Sequence, residues 1–244
     1  MVSVIVPTFN RAGVLPSTVR DLLRQTWRPC ELVVVDDGST DDTPAVLENL
    51  RMEVEAAGMT LKNARQENAG AAAARNRGML EATGEWFAFQ DDDDKWDTTK
   101  LEKQMAALAA SGADACTCLV NNRGHSATVP RNADMLPSGF CPASLLERQS
   151  AFLIIGLVVA AKIARENGEF DTALRNGEDI EWMMRLAHRA KFVSVPEALA
   201  TYTDTPGSLS NAGSLEKLVE QDEGPRRALI LMRERCPELA GWNE

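Results

Sequence analysis

The chain has 244 residues, enough for one large domain or two small ones with a sizeable core. Apolar residues make up 44% and charged residues 25%, which excludes a disordered chain. Against 36 acidic residues stand 26 basic ones, a net charge of −10; that excludes the basic stripe of a nucleic-acid binder and suits cation binding.

Met1 leads straight into "VSVIVP" with no basic n-region, so no signal peptide is expected. That run is apolar and β-branched, the pattern of a strand buried on both faces. After "TFNRAG", the stretch "VLPSTVRDLLRQT" places Leu15, Val19, Leu22 and Leu23 on one helical face. "ELVVVDDGS" is a second buried strand that ends in carboxylates and a turn. Thr43 reads as an N-cap with Pro44 behind it, and Leu47, Leu50 and Val54 continue a helix. "TLKNARQ" is a weaker strand. "AGAAAARNRGMLEAT" is rich in helix formers and stops at Gly84. "EWFAFQ" is the next strand, and "DDDD", Asp91 to Asp94, follows it directly.

The second half is less regular. "KLEKQMAALAASG" predicts a helix and "ADACTCLV" a strand; residues 121–142 read as a long loop. "AFLIIGLVVAA", residues 151–161, falls short of the roughly 20 residues of a membrane span and predicts a strand running into a helix. "GEDIEWMMRLAHRA" predicts a helix with Ile180, Met183, Met184 and Ala187 on its apolar face and His188 solvated; "KFVSVPEALATY" follows as an extended segment, and the charged stretch from Ser214 is helical in pattern. Cys30, Cys116, Cys118, Cys141 and Cys236 are odd in number and irregularly spaced, so no disulfide framework is expected; reduced thiols fit a cytoplasmic protein.

Alternating strands and helices predict an α/β fold, a mostly parallel sheet with helices on both faces. Ligands of such sheets sit at the C-terminal strand ends. Three ends carry polar groups here: "PTFN", "DDGSTDD" and "QDDDD". Their convergence would gather Thr8, Asp36 or Asp37, and Asp91 to Asp94 in one crevice. Clustered carboxylates suit a hard divalent cation, Mn2+ or Mg2+, which takes one or two protein carboxylates plus substrate phosphates and can neutralise a diphosphate leaving group. The competing reading is a solvated acidic turn. The first strand is followed by "PTFNRAG" rather than a G-x-G-x-x-G loop, and no Walker A loop is present, which argues against an NAD, FAD or P-loop site.

Three stretches together resemble a known family. "VSVIVPTFNRAGVLPSTVRDLLRQTWRPCELVVVDDGSTDDT" is similar to the opening of a family 2 glycosyltransferase with the GT-A fold; "GEWFAFQDDDDKWDTTKLEKQ" resembles its metal-binding D-x-D segment; "NGEDIEWMMRLAHRAKFVSVPEALATY" resembles the segment bearing its catalytic base. The resemblance implies inverting transfer of a sugar from a nucleoside-diphosphate sugar, with a UDP-sugar favoured, to an acceptor hydroxyl on a saccharide, a lipid-linked saccharide or another carrier. Pro7 and Thr8 would line the nucleotide pocket. Asp37 would hydrogen-bond the base, with Asp36 as the fallback. Asp91 and Asp93 match D-x-D: Asp91 near the ribose and at the metal's edge, Asp93 on the metal. Asp179 would be the general base.

Each of these residues has a purely structural rival role: Thr8 ending a strand, Asp36 or Asp37 capping the Gly38–Ser39 turn, Asp179 favoured by a helix N-terminus. Arg75 and Asn76 in "ARNRG" resemble a family motif too, but a salt bridge and a polar helix face explain them equally well, and they stay outside the expected site. Thr203 and Thr205 stand where the family often has Arg and His. The implied organisation is one GT-A domain, with residues 1–112 as the donor half, 113–210 as the acceptor half and 211–244 as a helical tail. The implied setting is cell-surface polysaccharide or glycoconjugate synthesis, in the cytoplasm or peripherally at the inner face of the membrane, without a transmembrane segment. The rival readings are a non-catalytic nucleotide-sugar or cation-binding module and a sugar nucleotidyltransferase.

Overall fold

In the computed structural model the apolar run after Met1 is strand β1 (Val2–Thr8), buried almost throughout. β1 lies between β2 (Cys30–Asp36) and β4 (Trp86–Phe89), parallel to both, and β3 (Thr60–Arg65) extends the parallel set beyond β2. Strands enclosed by two neighbours and two helical layers favour apolar side chains, hence "VSVIVP" and "ELVVV", whose buried polar members pair with each other, Ser3 donating to Glu31. The described residues are 1–122, 136–140 and 153–203, together with Arg226, Arg227, Ile230, Leu231 and Glu234, which are helical. Thr205, Cys141, Cys236, His125, residues 123–135 of the long loop and most of the tail lie outside them.

Helix α1 (Leu15–Leu23) joins β1 to β2, and α2 (Thr43–Ala56) joins β2 to β3. Right-handed crossovers put both on one face, where Arg20 of α1 meets Glu53 of α2 at 2.8 Å. The return from β3 to β4 reverses direction, so α3 (Ala71–Glu81) covers the opposite face; a Cβ on its Gly78 would lie 2.4 Å from Ile5 Cγ2 of β1. Thr43 does not cap α2 as expected: it is the first helical residue, after Asp42. Its hydroxyl instead donates to Asp41 and accepts from the Arg11 N–H, tying two loops together.

Beyond β4 the sheet turns antiparallel and then mixed. The full order is β3-β2-β1-β4-β7-β6-β8-β5, an eight-stranded sheet. β7 (Val158–Ala160) runs antiparallel to β4 and β6, and β8 (Phe192–Tyr202) runs parallel to β6 (Ala115–Asn122). β6 enters two residues of the stretch expected to be loop. Short β5 (Lys95–Trp96) pairs with β8 at the edge. Helices α4 (Lys100–Ser111), α5 (Ala161–Asn167) and α6 (Glu178–Arg189) complete the described chain. The α/β fold with a mostly parallel sheet is as the sequence predicts. Helix α6 is not merely amphipathic: Glu181 through Ala187 are all buried, Ile180 and His188 are half-buried, and Trp182 packs on Phe89 and Phe170.

Candidate active site

The strand ends converge because β1, β2 and β4 are parallel neighbours. Pro7 lacks an N–H, and β4 pairs with β1 only up to Ile5–Phe89. Past that point the chain after β4 diverges into the aspartates, and Thr8, which is 3% exposed, lies against Asp92. Phe9 follows with 43% of its surface open. The sequence reading missed Phe9; an aromatic side chain directly after a buried strand is the signal that could have found it.

Asp36 and Asp37 divide the labour at the end of β2. Asp36 Oδ1 accepts the Ser39 N–H at 2.8 Å and so holds the Gly38–Ser39 turn. Asp37 reaches the other way. Its Oδ1 accepts the Gln66 side chain (2.8 Å) and the Ala69 N–H (3.0 Å), and its Oδ2 accepts the Gly70 N–H (2.8 Å) at the start of α3. Gly38 is required directly after them: its φ is +81°, and a Cβ there would lie 2.8 Å from the Asn68 nitrogen.

The four aspartates form a tight turn in which the Asp94 N–H donates to the Asp91 carbonyl at 3.3 Å. Exposure alternates along it: Asp91 and Asp93 are half-buried, Asp92 and Asp94 buried. The Thr18 hydroxyl of α1 clamps the Asp92 carbonyl at 2.7 Å, and Asp94 Oδ1 accepts the Thr203 N–H at 2.7 Å. Burial pushes the Asp92 carboxyl up to about 7, with Asp93 and Asp91 adding to the rise while Thr8 and Arg11 oppose it. Asp94 is raised for the same reason, burial first and then its acidic neighbours. Arg11 spans Asp92 and Asp93, at 3.5 Å from each.

Arg75 joins this turn to α6. It is 5% exposed; one nitrogen donates to Asp91 Oδ1 at 2.8 Å and another to Glu178 Oε1 at 2.7 Å. Burial disfavours its charge, but Asp91, Glu178 and Asp179 outweigh that and hold it protonated. Asn76 acts elsewhere, and its amide makes two hydrogen bonds to the Phe170 backbone. Asp179 lies in the first turn of α6, behind Gly177, and accepts the Ile180 N–H at 2.8 Å. Burial raises its proton affinity, Glu178 adds to the rise, and Arg75 opposes it. One guanidinium therefore joins Asp91 to Glu178, the residue before Asp179 in the first turn of α6. Thr8, Asp37 and Asp93 sit at adjoining strand ends, and Pro7 shapes the opening.

Among the described residues no three histidine, cysteine, aspartate or glutamate side chains form a ready metal cage. The residues present still fit a divalent cation of the Mg2+ type, which needs only one or two carboxylates when a substrate diphosphate supplies the rest. Asp91 and Asp93 are the two less buried members of the turn.

The profile of Glycosyl transferase family 2 matches residues 3–156, and the chain belongs to that family. It is 29% identical over 214 residues to a putative teichuronic acid biosynthesis glycosyltransferase, TuaG, of Bacillus subtilis, covering 86% of this chain and 82% of that one. It is 35% identical over 105 residues to WfaP of Escherichia coli, a UDP-Glc:alpha-D-GlcNAc-diphosphoundecaprenol beta-1,3-glucosyltransferase, covering 43% of this chain and 40% of that one. WfaP and two further curated relatives are matched over only 33 to 40% of their own length. Among solved structures, S. aureus TarS 1-349 in complex with UDP-GlcNAc superposes with a TM-score of 0.71 at 21% identity, over 99% of this chain and 76% of that one. Mannosyltransferase PcManGT from Pyrobaculum calidifontis, in complex with GDP-Man and Mn2+, superposes with a TM-score of 0.67 at 20% identity, over 100% of this chain and 76% of that one. Both likenesses support the GT-A fold.

Proposed function

We propose that the chain is an inverting, metal-dependent glycosyltransferase that moves a sugar from a nucleoside-diphosphate sugar, a UDP-sugar in the favoured reading, to an acceptor hydroxyl. The observation that carries this is the Arg75 bridge, which brings the half-buried Asp91 of the acidic turn and the Asp179 helix to one cleft. Residues 1–112 bind the donor in this reading, 113–210 the acceptor, and 211–244 form a tail.

Thr8 and Pro7 line the nucleotide pocket. The exposed Phe9 ring offers a stacking face for the base. Asp37 Oδ2 accepts one described hydrogen bond and has a second lone pair for a base N–H; Asp36, whose Oδ1 holds the turn and whose Oδ2 faces Arg65 at 3.4 Å, is the fallback. Asp91 faces the ribose. Asp93, with Asp91, would hold Mn2+ or Mg2+. The cation supplies Lewis-acid stabilisation of the departing diphosphate. Asp179 takes the proton from the acceptor hydroxyl as that oxygen attacks the anomeric carbon from the face opposite the leaving group. A carboxylate of raised proton affinity is a better base than an ordinary aspartate.

The names of TuaG and WfaP concern a teichuronic acid and a diphosphoundecaprenol-linked sugar. They support an acceptor of the lipid-linked saccharide type, used in cell-surface polymer synthesis, with the enzyme peripheral at the inner membrane face. No helix among the described residues is long and apolar enough to cross a membrane.

The test is Asp179→Asn, assayed with UDP-sugars and a panel of short-chain lipid-diphosphate saccharides. Transfer should fall by about 10²–10⁴-fold, the usual contribution of a positioned base. Mn2+-dependent UDP binding should be unchanged. Normal transfer by the variant, or a product that keeps the donor's anomeric configuration, would defeat the assignment.

A further inference from the structure

We propose that Arg11 is an exchangeable resident cation: it occupies the carboxylates of Asp92 and Asp93 before the metal arrives, then transfers to the donor diphosphate. This rests on the proposed metal-dependent donor site.

Three observations carry the inference. The first is position. The Arg11 guanidinium lies 3.5 Å from Asp92 Oδ1 and 3.5 Å from Asp93 Oδ2, so it faces the carboxylate expected to hold the cation. A guanidinium and a divalent ion compete for that oxygen and repel each other across it. The second is looseness. Charge-assisted pairs usually close to about 2.7–2.9 Å, as both Arg75 contacts do. Arg11 bridges two acids without closing on either, the arrangement of a counter-charge that can be displaced.

The third is the anchoring of its backbone. Asn10 takes a positive φ of 54°, its N–H donates to the Ser39 hydroxyl at 2.8 Å, and its side-chain oxygen accepts the Thr40 N–H at 2.8 Å. The Arg11 N–H donates to the Thr43 hydroxyl at 3.0 Å, and the Ala12 N–H to Asp41 at 3.1 Å. The loop is held by these bonds, so the guanidinium is not needed to hold it. A long side chain on a fixed Cα can change partners without moving the backbone. A metal held at Asp93 would be shared with the donor's phosphates, whose anionic oxygens would offer the displaced guanidinium a new partner.

The exchange makes metal and nucleotide bind cooperatively. With no nucleotide present, the metal must displace Arg11 from Asp93 and leave it only the buried Asp92 as a partner. With the diphosphate present, Arg11 gains a partner as it leaves. One substitution should then shift two affinities in opposite directions.

The experiment is isothermal titration of the full chain and of Arg11→Gln with Mn2+ alone, with UDP alone, and with UDP in saturating Mn2+; GDP replaces UDP in a parallel series. In Arg11→Gln, Mn2+ alone should bind more tightly by about 5-fold or more, the lower end of ordinary coupling between sites. UDP in Mn2+ should bind more weakly by a similar factor, and the coupling between the two ligands should shrink. Arg11→Lys, which keeps a mobile charge, should lie between wild type and Arg11→Gln. Affinities that fall together in Arg11→Gln would mean that Arg11 only supports the site, and unchanged affinities would mean that it stands clear of it; either result overturns the proposal. A wild-type protein that shows no metal-dependent binding of UDP or GDP would instead remove the donor-site reading, and the exchange with it.

Discussion

Arg75 and Lys100 are both buried cations, and their surroundings give them opposite consequences. Arg75 is compensated by two carboxylates. Lys100 is fully buried, its amine sits 3.8 Å above the Trp96 ring, and that nitrogen donates no hydrogen bond. Burial pulls its pKa down to about 8, against the partial opposition of the Cys118 and Cys116 thiols. Below that pH the folded protein carries a poorly solvated charge, while the unfolded chain holds its proton up to about 10.4. Stability from this group therefore rises with pH between those values. Lys100→Met should stabilise the protein at pH 7 by on the order of 1–3 kcal/mol. That advantage should shrink as pH rises through the same window. The buried thiols of Cys30 and Cys116, raised to about 11 and about 12, act in the opposite sense in both proteins. The readout is thus the difference between variant and wild type in urea unfolding at pH 7, 9 and 10. A constant difference would show that Lys100 does not titrate in that range.

At the scale of elements, α3 positions the bridge. Gly78 lets the helix approach β1 closely enough for Arg75 to reach both the acidic turn and Glu178. Gly78→Ala adds helix propensity worth about 1 kcal/mol but forces a methyl into Ile5, an overpacking cost of about 1–3 kcal/mol. The expected result is a lower melting temperature and weaker Mn2+-dependent UDP binding. Ile5→Ala should cost less in the Gly78→Ala background than alone, a coupling that a double-mutant cycle measures. The sequence-based reading worked best where burial on both faces forces apolar runs, as in β1 and β2. It failed where charge is hidden by pairing. Glu181 and Arg185 look like a solvent-facing i, i+4 pair, yet Glu181 is fully buried, and Arg185 also donates to the Asn167 and Glu169 carbonyls. For Arg75 the salt bridge weighed from the sequence is present, but its partners lie 16 and 103 residues away, and no local pattern names them. Asp91, Asp93 and Asp179 are site candidates only as members of ordered motifs, since each alone is an ordinary turn or helix carboxylate.

At the scale of the molecule, the acidic turn crosses the sheet. It leaves β4 near the centre and delivers β5 to the far edge, with β7, β6 and β8 lying between them. The turn is fastened at its far end by β8: Trp96 pairs with Ala200, the Asp97 N–H donates to Leu199, and Asp94 holds Thr203. This imposes an order in time. Strands β1, β2 and β4 can pair from the first 90 or so residues, but the Asp94–Thr203 contact spans 109 residues and carries a larger loop-closure entropy. In pulse-labelled refolding, the amides of Val4, Val33 and Gln90, the last donating to Ile5 of β1, should be protected before that of Thr203. Simultaneous protection would show that the two halves form as one unit. During synthesis the same geometry keeps a growing chain from assembling the complete cleft until β8 has left the ribosome. An unfinished chain would then have the β3-β2-β1-β4 sheet but an acidic turn still loose at its far end.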